Sequence, residues 1–362
     1  MPIKFKKRLL DRVPYEACSV FDVNNDGALD IVCGAYWYEG PQFDRKHKIC
    51  DIVPSGKNYH DDFSDFPMDV DGDGFTDMIT GSWWSGALRW RKNPGTSDSE
   101  WQTLDIDKSR SIETIRYYDI DGCGVPEIFP NTPGGPQLMY KLVCNDQGKG
   151  TGAFRKTVIH ETQSGHGLGF ADINGDGRMD IVLAGGWLEQ PAAPFGVPWT
   201  FHPEFSLGTA SVPILGYDVT DNGLCDLIVG QAHDYGLHWY EQMIESDGTR
   251  RWIKHDIDMS VSQYHDMMLV DLDLDGELEL VTGKRYMAHD IDPGAEDPVG
   301  IYYFKIKKGA FEKHVIDYGP AGEASGNGIY MWIEDITGNG YPDIVAPGKE
   351  GLFLFENLGR QE

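Results

Sequence analysis

The sequence predicts an all-β chain folded as one domain, residues 1–362, in the form of a seven-bladed β-propeller. Three observations carry this expectation. One loop motif recurs along the whole chain, and short strands accompany every copy. A strand of the fourth kind stands before the first copy and is missing after the last.

The motif is an apolar residue, then D-x-[DNT]-x-[DNC]-G-x-x-[DE], then a short apolar run. Copies begin at Asp22, Asp69, Asp119, Asp172, Asp218, Asp271 and Asp335, between 46 and 64 residues apart. They span the chain, so the repeat is the domain. Four copies are fully acidic or nearly so: Asp22, Asn24, Asp26, Asp30; Asp69, Asp71, Asp73, Asp77; Asp172, Asn174, Asp176, Asp180; and Asp271, Asp273, Asp275, Glu279. Alternating oxygen ligands, a glycine at the sharp turn and a closing carboxylate suit Ca2+. An EF-hand closes at its twelfth position and is flanked by helices. Here the closing acid is the ninth residue and both flanks are strand-like, so the loops belong to β-hairpins. The third, fifth and seventh copies carry Cys123, Thr220 with Asn222, and Thr337 with Asn339 at ligand positions, which weakens any metal. The alternative is that these Asp, Asn and Gly residues only form turns.

After each loop comes an apolar strand, as in Asp30-Ile31-Val32-Cys33 or Asp226-Leu227-Ile228-Val229. A Gly- and aromatic-rich turn follows, then a third strand such as Leu237-His238-Trp239-Tyr240. Fourth strands run basic, apolar, acidic, as in Glu312-Lys313-His314-Val315-Ile316-Asp317. Four short strands per repeat is the pattern of a propeller blade. Phe5 to Asp11 fits the fourth-strand pattern, and Leu352 to Phe355 ends the last unit on a third strand. The N-terminal strand is therefore expected to close the last blade and remove its open edge.

Composition limits the function. Lys plus Arg number 31 against 58 Asp plus Glu, a net charge of -27. Such a chain repels nucleic acid and anionic lipid, so neither is an expected partner. No apolar run reaches the roughly 20 residues of a membrane helix. The start shows no secretory signal, which points to the cytoplasm, or to a secreted protein whose signal has been removed. The six cysteines lack metal-type spacing and are expected as free thiols. No G-x-S-x-G elbow supports a nucleophilic hydrolase.

The residues six before each loop Asp are Glu16, Phe63, Glu113, His166, Val212, His265 and Ile329. On a propeller they ring the channel mouth opposite the hairpin loops, and four of the seven are ionisable. Turns between second and third strands meet this ring. They bring Tyr36, Trp37, Trp84, Trp187, Tyr235 and Tyr286, expected as stacking platforms for a sugar-like ligand. They also bring His233, Lys284, Arg285 and His289, and the second unit adds His60. The sixth unit carries a polar insert, Tyr286 to Val299, of a length more often functional than filler.

The seven motifs resemble those of FG-GAP/VCBS repeat proteins, the calcium-loop propellers related to integrin α-subunit heads. A second resemblance rests on Gly283-Lys284-Arg285-Tyr286-Met287-Ala288-His289, Asp292-Pro293-Gly294, Pro298 to Tyr303, and Ser164 to Gly169. These stretches look like the propeller part of aldos-2-ulose dehydratase (anhydrofructose dehydratase) and its bacterial relatives. The fungal enzyme carries further cupin-type domains without counterpart in this sequence. The resemblance implies a carbon–oxygen lyase acting by β-elimination on a keto-sugar or keto-glycoside.

Such an elimination needs a base, an acid and an electrophile for the enolate. His166 and His265, with His60 or Glu113, are the expected ligands of a second divalent metal (Zn2+, Mn2+, Mg2+ or similar), since imidazole favours transition ions over calcium. His233 or His289 is the expected base or acid, and Lys284 or Arg285 the binder of the carbonyl or oxyanion. Two alternatives remain. One is a non-catalytic carbohydrate- or protein-binding propeller. The other is a polysaccharide lyase, which the net negative charge disfavours for an anionic polymer.

Overall fold

The computed structural model describes residues 2–360 apart from 57, 98, 109 and 162–164. Ser164 of the second resemblance thus lies outside the described residues. Those residues form strands and turns with no helix. Each motif copy sits between the first and second strands of a four-stranded antiparallel unit. The first unit is Ser19–Phe21, Asp30–Cys33, Tyr36–Glu39 and Arg45–Lys48 in spatial order. Five units are separate sheets. The fourth and fifth join into one eight-stranded sheet through parallel pairing of Leu168–Ala171 with Ile214–Tyr217. The N-terminal strand Ile3–Asp11 pairs antiparallel with Gly351–Arg360, as the terminal patterns lead one to expect.

Burial follows from this stacking. Second strands such as Asp226–Gly230 and Asp343–Gly348 are buried at every position. A strand covered on both faces reads as a continuous apolar run. Outer strands such as Arg45–Lys48 face solvent and carry the charge. Each gap between successive units holds its own apolar cluster. Ile79, Leu88 and Trp90 of the second unit meet Ile115, Ile128 and Leu138 of the third. Val345 and Leu352 of the last unit meet Val20 and Ile31 of the first, and Cys18 N–H donates to Tyr330 O across that gap at 2.9 Å.

The ninth motif residue is the fastening of each unit. Asp226 is fully buried; its carboxylate accepts Val219 N–H at 2.9 Å and Gln242 N–H at 2.8 Å, tying the loop to the third strand. Asp30, Asp77, Asp180 and Asp343 do the same. Where the acid is longer, a lysine opposite it takes one oxygen: Lys141 on Glu127 at 2.6 Å and Lys305 on Glu279 at 3.1 Å. The fastening also reaches the preceding unit. The side-chain amides of Asn93, Gln190, Gln242 and Asn357 donate to Val23, Ile120, Ile173 and Leu272 carbonyls at 2.8 to 3.1 Å.

The acidic loops differ in what faces them. Lys92 pairs with Asp71 and Asp73, and Lys305 with Asp273, while Arg360 pairs with Asp273 and Asp275. In the second and sixth loops the protein's own cations therefore stand among the oxygens expected to bind Ca2+. In the fourth, Arg178 pairs with Asp176. Among the described residues no Lys or Arg pairs with Asp22 or Asp26 of the first loop. All six cysteines are free, and Cys18, Cys33 and Cys50 are buried.

Removing the Asp226 carboxylate strands two buried amides. Asp226→Ala is expected to cost about 3 kcal/mol in guanidinium unfolding, and a loss under about 0.5 kcal/mol would contradict the fastening role. Burial also pushes Asp30, Asp180 and Asp226 up to about 6 and Asp77 to about 7. The native state then binds more protons than the unfolded chain in that range, so these groups stabilise below the ordinary Asp range and lose that contribution as pH rises through 6 to 7. In chelator, the thermal midpoint is expected to rise between pH 7 and 5. Below that it should fall, as carboxylates held low by lysines (Asp11, Asp107 and Asp258) protonate despite the upward push of burial.

Candidate functional site

Six of the seven residues placed six before the loop Asp are buried: Glu16, Phe63, Glu113, Val212, His265 and Ile329. His166 is half-buried. Three of them meet. His265 Nε2 lies 3.1 Å from Glu113 Oε1, and His166 Nε2 lies 3.4 Å from the same oxygen. His233, from the turn after Asp226–Gly230, completes the group with its Nε2 3.3 Å from His166 Nε2. One ligand atom from each of these four side chains lies within 4.8 Å of the others. Units three, four, five and six contribute one side chain each.

Two of the four side chains are held from behind. His166 Nδ1 is 2.6 Å from Ala210 O, which leaves Nε2 facing the group. His233 Nδ1 is 2.8 Å from Asp292 Oδ2, a carboxylate supplied by the polar insert. A carboxylate or carbonyl behind a histidine is the usual support of a metal ligand. His265 Nδ1 is buried without a partner among the described residues. Burial holds His265 well below its ordinary value, helped by the Arg285 charge, and burial and the neighbouring His166 take His233 down to about 4. Both are neutral donors at neutral pH. Burial pushes Glu113 up, but hydrogen bonds from His166 and His265 outweigh it and hold the carboxyl well below its ordinary value. For His166, burial pushes down and Glu113 pushes up, with a net rise.

Below this group lies a buried ion pair. Arg285 Nε donates to Glu16 Oε1 at 2.8 Å and Nη2 to Oε2 at 3.2 Å, and Nη1 is 3.6 Å from Glu113 Oε1. Arg285 is thus engaged by two carboxylates instead of being open to a carbonyl. Lys349 Nζ is 3.9 Å from Glu16 Oε2 and 4.0 Å from the centre of the Tyr59 ring. Burial pushes Lys349 down to about 8. Neither Tyr59 nor Lys349 was singled out by the motif. Lys349 has a signal nonetheless, because Gly348-Lys349-Glu350-Gly351 is the second-to-third turn of the last unit.

The other expected residues divide between rim and interior. Trp84 is 42% exposed, 5.2 Å from Tyr59 and 5.5 Å from Phe63, ring to ring. His289 is exposed, stacks on His233 at 4.5 Å and has Nδ1 3.3 Å from Asp292 Oδ2. Together Trp84, Tyr59 and His289 border the histidine group. Tyr235 donates its hydroxyl to Asp297, and Tyr286 is half-buried in the insert. Trp37 and Trp187 are elsewhere. Each stacks on the histidine opposite it in its own sheet, His47 at 4.0 Å and His202 at 4.2 Å. Tyr36 lies under Lys46, 3.7 Å from its ammonium. His60 packs edge-on against Tyr15 and does not join the four-residue group. Lys284, the last residue of the strand Glu279–Lys284, is buried and bonds Ser262 Oγ at 3.2 Å and Gln263 Oε1 at 3.4 Å, away from the histidines.

Fold and site together define an all-β, propeller-like protein with a histidine–carboxylate group at its centre. No protein-family model and no curated protein sequence matches the chain. Among solved structures it is similar to BBS1N, crystallised in complex with ARL6DN, with TM-score 0.54 and 11% identity over 97% of this chain and 96% of that one. Sqt1 of Saccharomyces cerevisiae aligns with TM-score 0.47 and 11% identity over 99% and 98%. At such identity the likeness concerns the fold alone.

The Glu16–Arg285 pair supports a direct prediction. Glu16→Ala leaves a guanidinium buried with one carboxylate fewer, and is expected to cost about 3–5 kcal/mol of stability by denaturant unfolding. A midpoint within error of the parent would show that Arg285 relaxes to solvent instead.

Proposed function

We propose that the chain is a seven-bladed propeller, closed by its N-terminal strand, that holds a divalent transition-type metal in its channel and eliminates water or a glycoside from a keto-sugar. The observation that carries the metal is the convergence of Glu113, His166, His233 and His265 from four units. Seven four-stranded units with a cluster in every gap support the propeller count. Three imidazoles and one carboxylate suit zinc, manganese or iron better than calcium. The supported rings of His166 and His233 fit a ligand set.

When bound, such an ion supplies Lewis acidity to a carbonyl oxygen. The chain's own groups do the rest. Trp84 offers an exposed ring face to a sugar, in the manner of carbohydrate sites. His289, held at Nδ1 by Asp292, has its other nitrogen available to take the proton next to the carbonyl and return it to the departing oxygen. His233 belongs to the ligand set in this scheme, so the acid–base role passes to His289. Arg285, 3.6 Å from Glu113, positions that carboxylate without touching substrate, and His166 and His265 keep it anionic. Calcium is assigned to the first hairpin loop, because Lys92, Arg178 and Lys305 already pair with acids of the second, fourth and sixth. A second reading, a carbohydrate-binding propeller without turnover, uses the same exposed Trp84 rim.

Elemental analysis separates the two. The parent protein is expected to hold about one transition-metal equivalent, lost in His166→Ala/His265→Ala, and to dehydrate an anhydroketose only when that metal is present. Calcium alone, undiminished in the double variant, would leave the binding reading. Retained turnover in the double variant would refute the metal assignment. His289→Ala is expected to lower kcat by about 100-fold or more while the metal content stays unchanged.

A further inference from the structure

Lys284 sits apart from the histidine group and has no place in that scheme. It is 1% exposed, and it lines a cavity of about 450 Å³ together with Ser262, Asp297, Tyr302, Lys313 and Tyr318. Among the described residues it forms no salt bridge, although the chain has nearly two acids per base. Its ammonium bonds only neutral oxygens, Ser262 Oγ and Gln263 Oε1. Two further polar groups nearby lack partners: the Tyr302 hydroxyl and Gln263 Nε2 are buried and unpaired among the described residues. Unsatisfied buried polar atoms around a cavity mark a place for a polar guest.

Packing fixes these groups. Gln263 has a left-handed backbone, φ 58°, and its Oε1 also accepts Ala288 N–H at 3.1 Å, which ties the polar insert to the lysine. Gly294 of the insert allows close approach, since a Cβ there would come within 2.8 Å of Ser262 Oγ, Tyr235 Oη and Asp297 Oδ2. The charge environment is mixed: Asp297 accepts the Tyr235 hydroxyl, and Lys313 lies 3.9 Å from the centre of the Tyr302 ring.

We propose that this cavity is a carbonyl-capture site in which Lys284 forms an imine with a small hydroxylated aldehyde or ketone. The amine nitrogen attacks the carbonyl carbon, and the resulting carbinolamine loses its oxygen as water, taking both amine protons with it. No oxidant or reductant is needed. Burial takes the Lys284 ammonium down to about 8, so a large part of it is the nucleophilic amine near pH 8. Ser262, Tyr302 and Asp297 supply hydrogen-bonding groups for the guest's hydroxyls. The inference is independent of the metal scheme.

Reductive trapping tests it. The protein is incubated with glycolaldehyde and cyanoborohydride at pH 8, and adducts are located by peptide mass mapping. The expected result is a fast phase of one adduct on Lys284, at least about tenfold faster than exposed Lys307 and Lys308, and absent from Lys284→Arg. Trapping is read on the parent chain, so a variant that folds poorly leaves the test intact. His166→Ala/His265→Ala is expected to keep the fast phase. Its loss there would fold Lys284 into the histidine site and overturn a separate one. Labelling of Lys284 no faster than Lys307 would overturn the proposal outright.

Discussion

The whole architecture depends on a buried carboxylate that binds backbone amides. In each unit the closing acid of the motif ties the loop to its own sheet. In four units a neighbouring Asn or Gln then reaches the same loop of the preceding unit. Val23 illustrates the economy: its N–H bonds Asp30 and its carbonyl accepts Asn93. A loop held from both sides has little freedom, and an unpaired partner would cost more than the bond contributes. Both Asp and Glu accept a loop N–H, but the second donor is a backbone amide for Asp and a lysine for Glu127 and Glu279, which matches the extra methylene.

That rigidity reaches the centre. The first strands are held in register by the loops that end them, and the residues six before the loops are carried to one place. Seven such positions hold two acids, two histidines and three apolar residues. The chemistry arises because Phe63, Val212 and Ile329 fill their share of the space, while Glu113, His166 and His265 converge. The charges there are mutually dependent: Arg285 is surrounded by Glu16 and Glu113, and removing either one leaves a charge in a dry interior.

Much of this was legible in the sequence because the repeat is strict in its ligand positions and its apolar runs. The centring of Glu113, His166 and His265 followed from counting back from each Asp. Other features depended on partners far away along the chain. Trp37 and Trp187 read as sugar platforms, but the histidine across the sheet takes their faces, and nothing local announces His47 or His202. Arg285 finds Glu16 at a separation of 269 residues. Lys284 ends its strand and bonds Ser262 and Gln263, whereas Arg285, one residue beyond, turns to Glu16 and Glu113, which the pair read as a unit conceals. Asp292 lies within an insert that reads as polar, yet the histidine it supports, His233, stands 59 residues away along the chain. The loop acids read as calcium ligands, and their bonds to backbone amides are invisible in a list of oxygen-bearing residues.

The join between the fourth and fifth units bears on how the central group can move. His166 leads into one half of the eight-stranded sheet and His233 leaves the other, and the parallel pairing of Gly169 with Ile214 links the halves. These two imidazoles are therefore carried by one continuous sheet. Glu113 and His265 are borne by separate sheets on either side, so any movement between sheets shifts those two side chains against a pair that stays together.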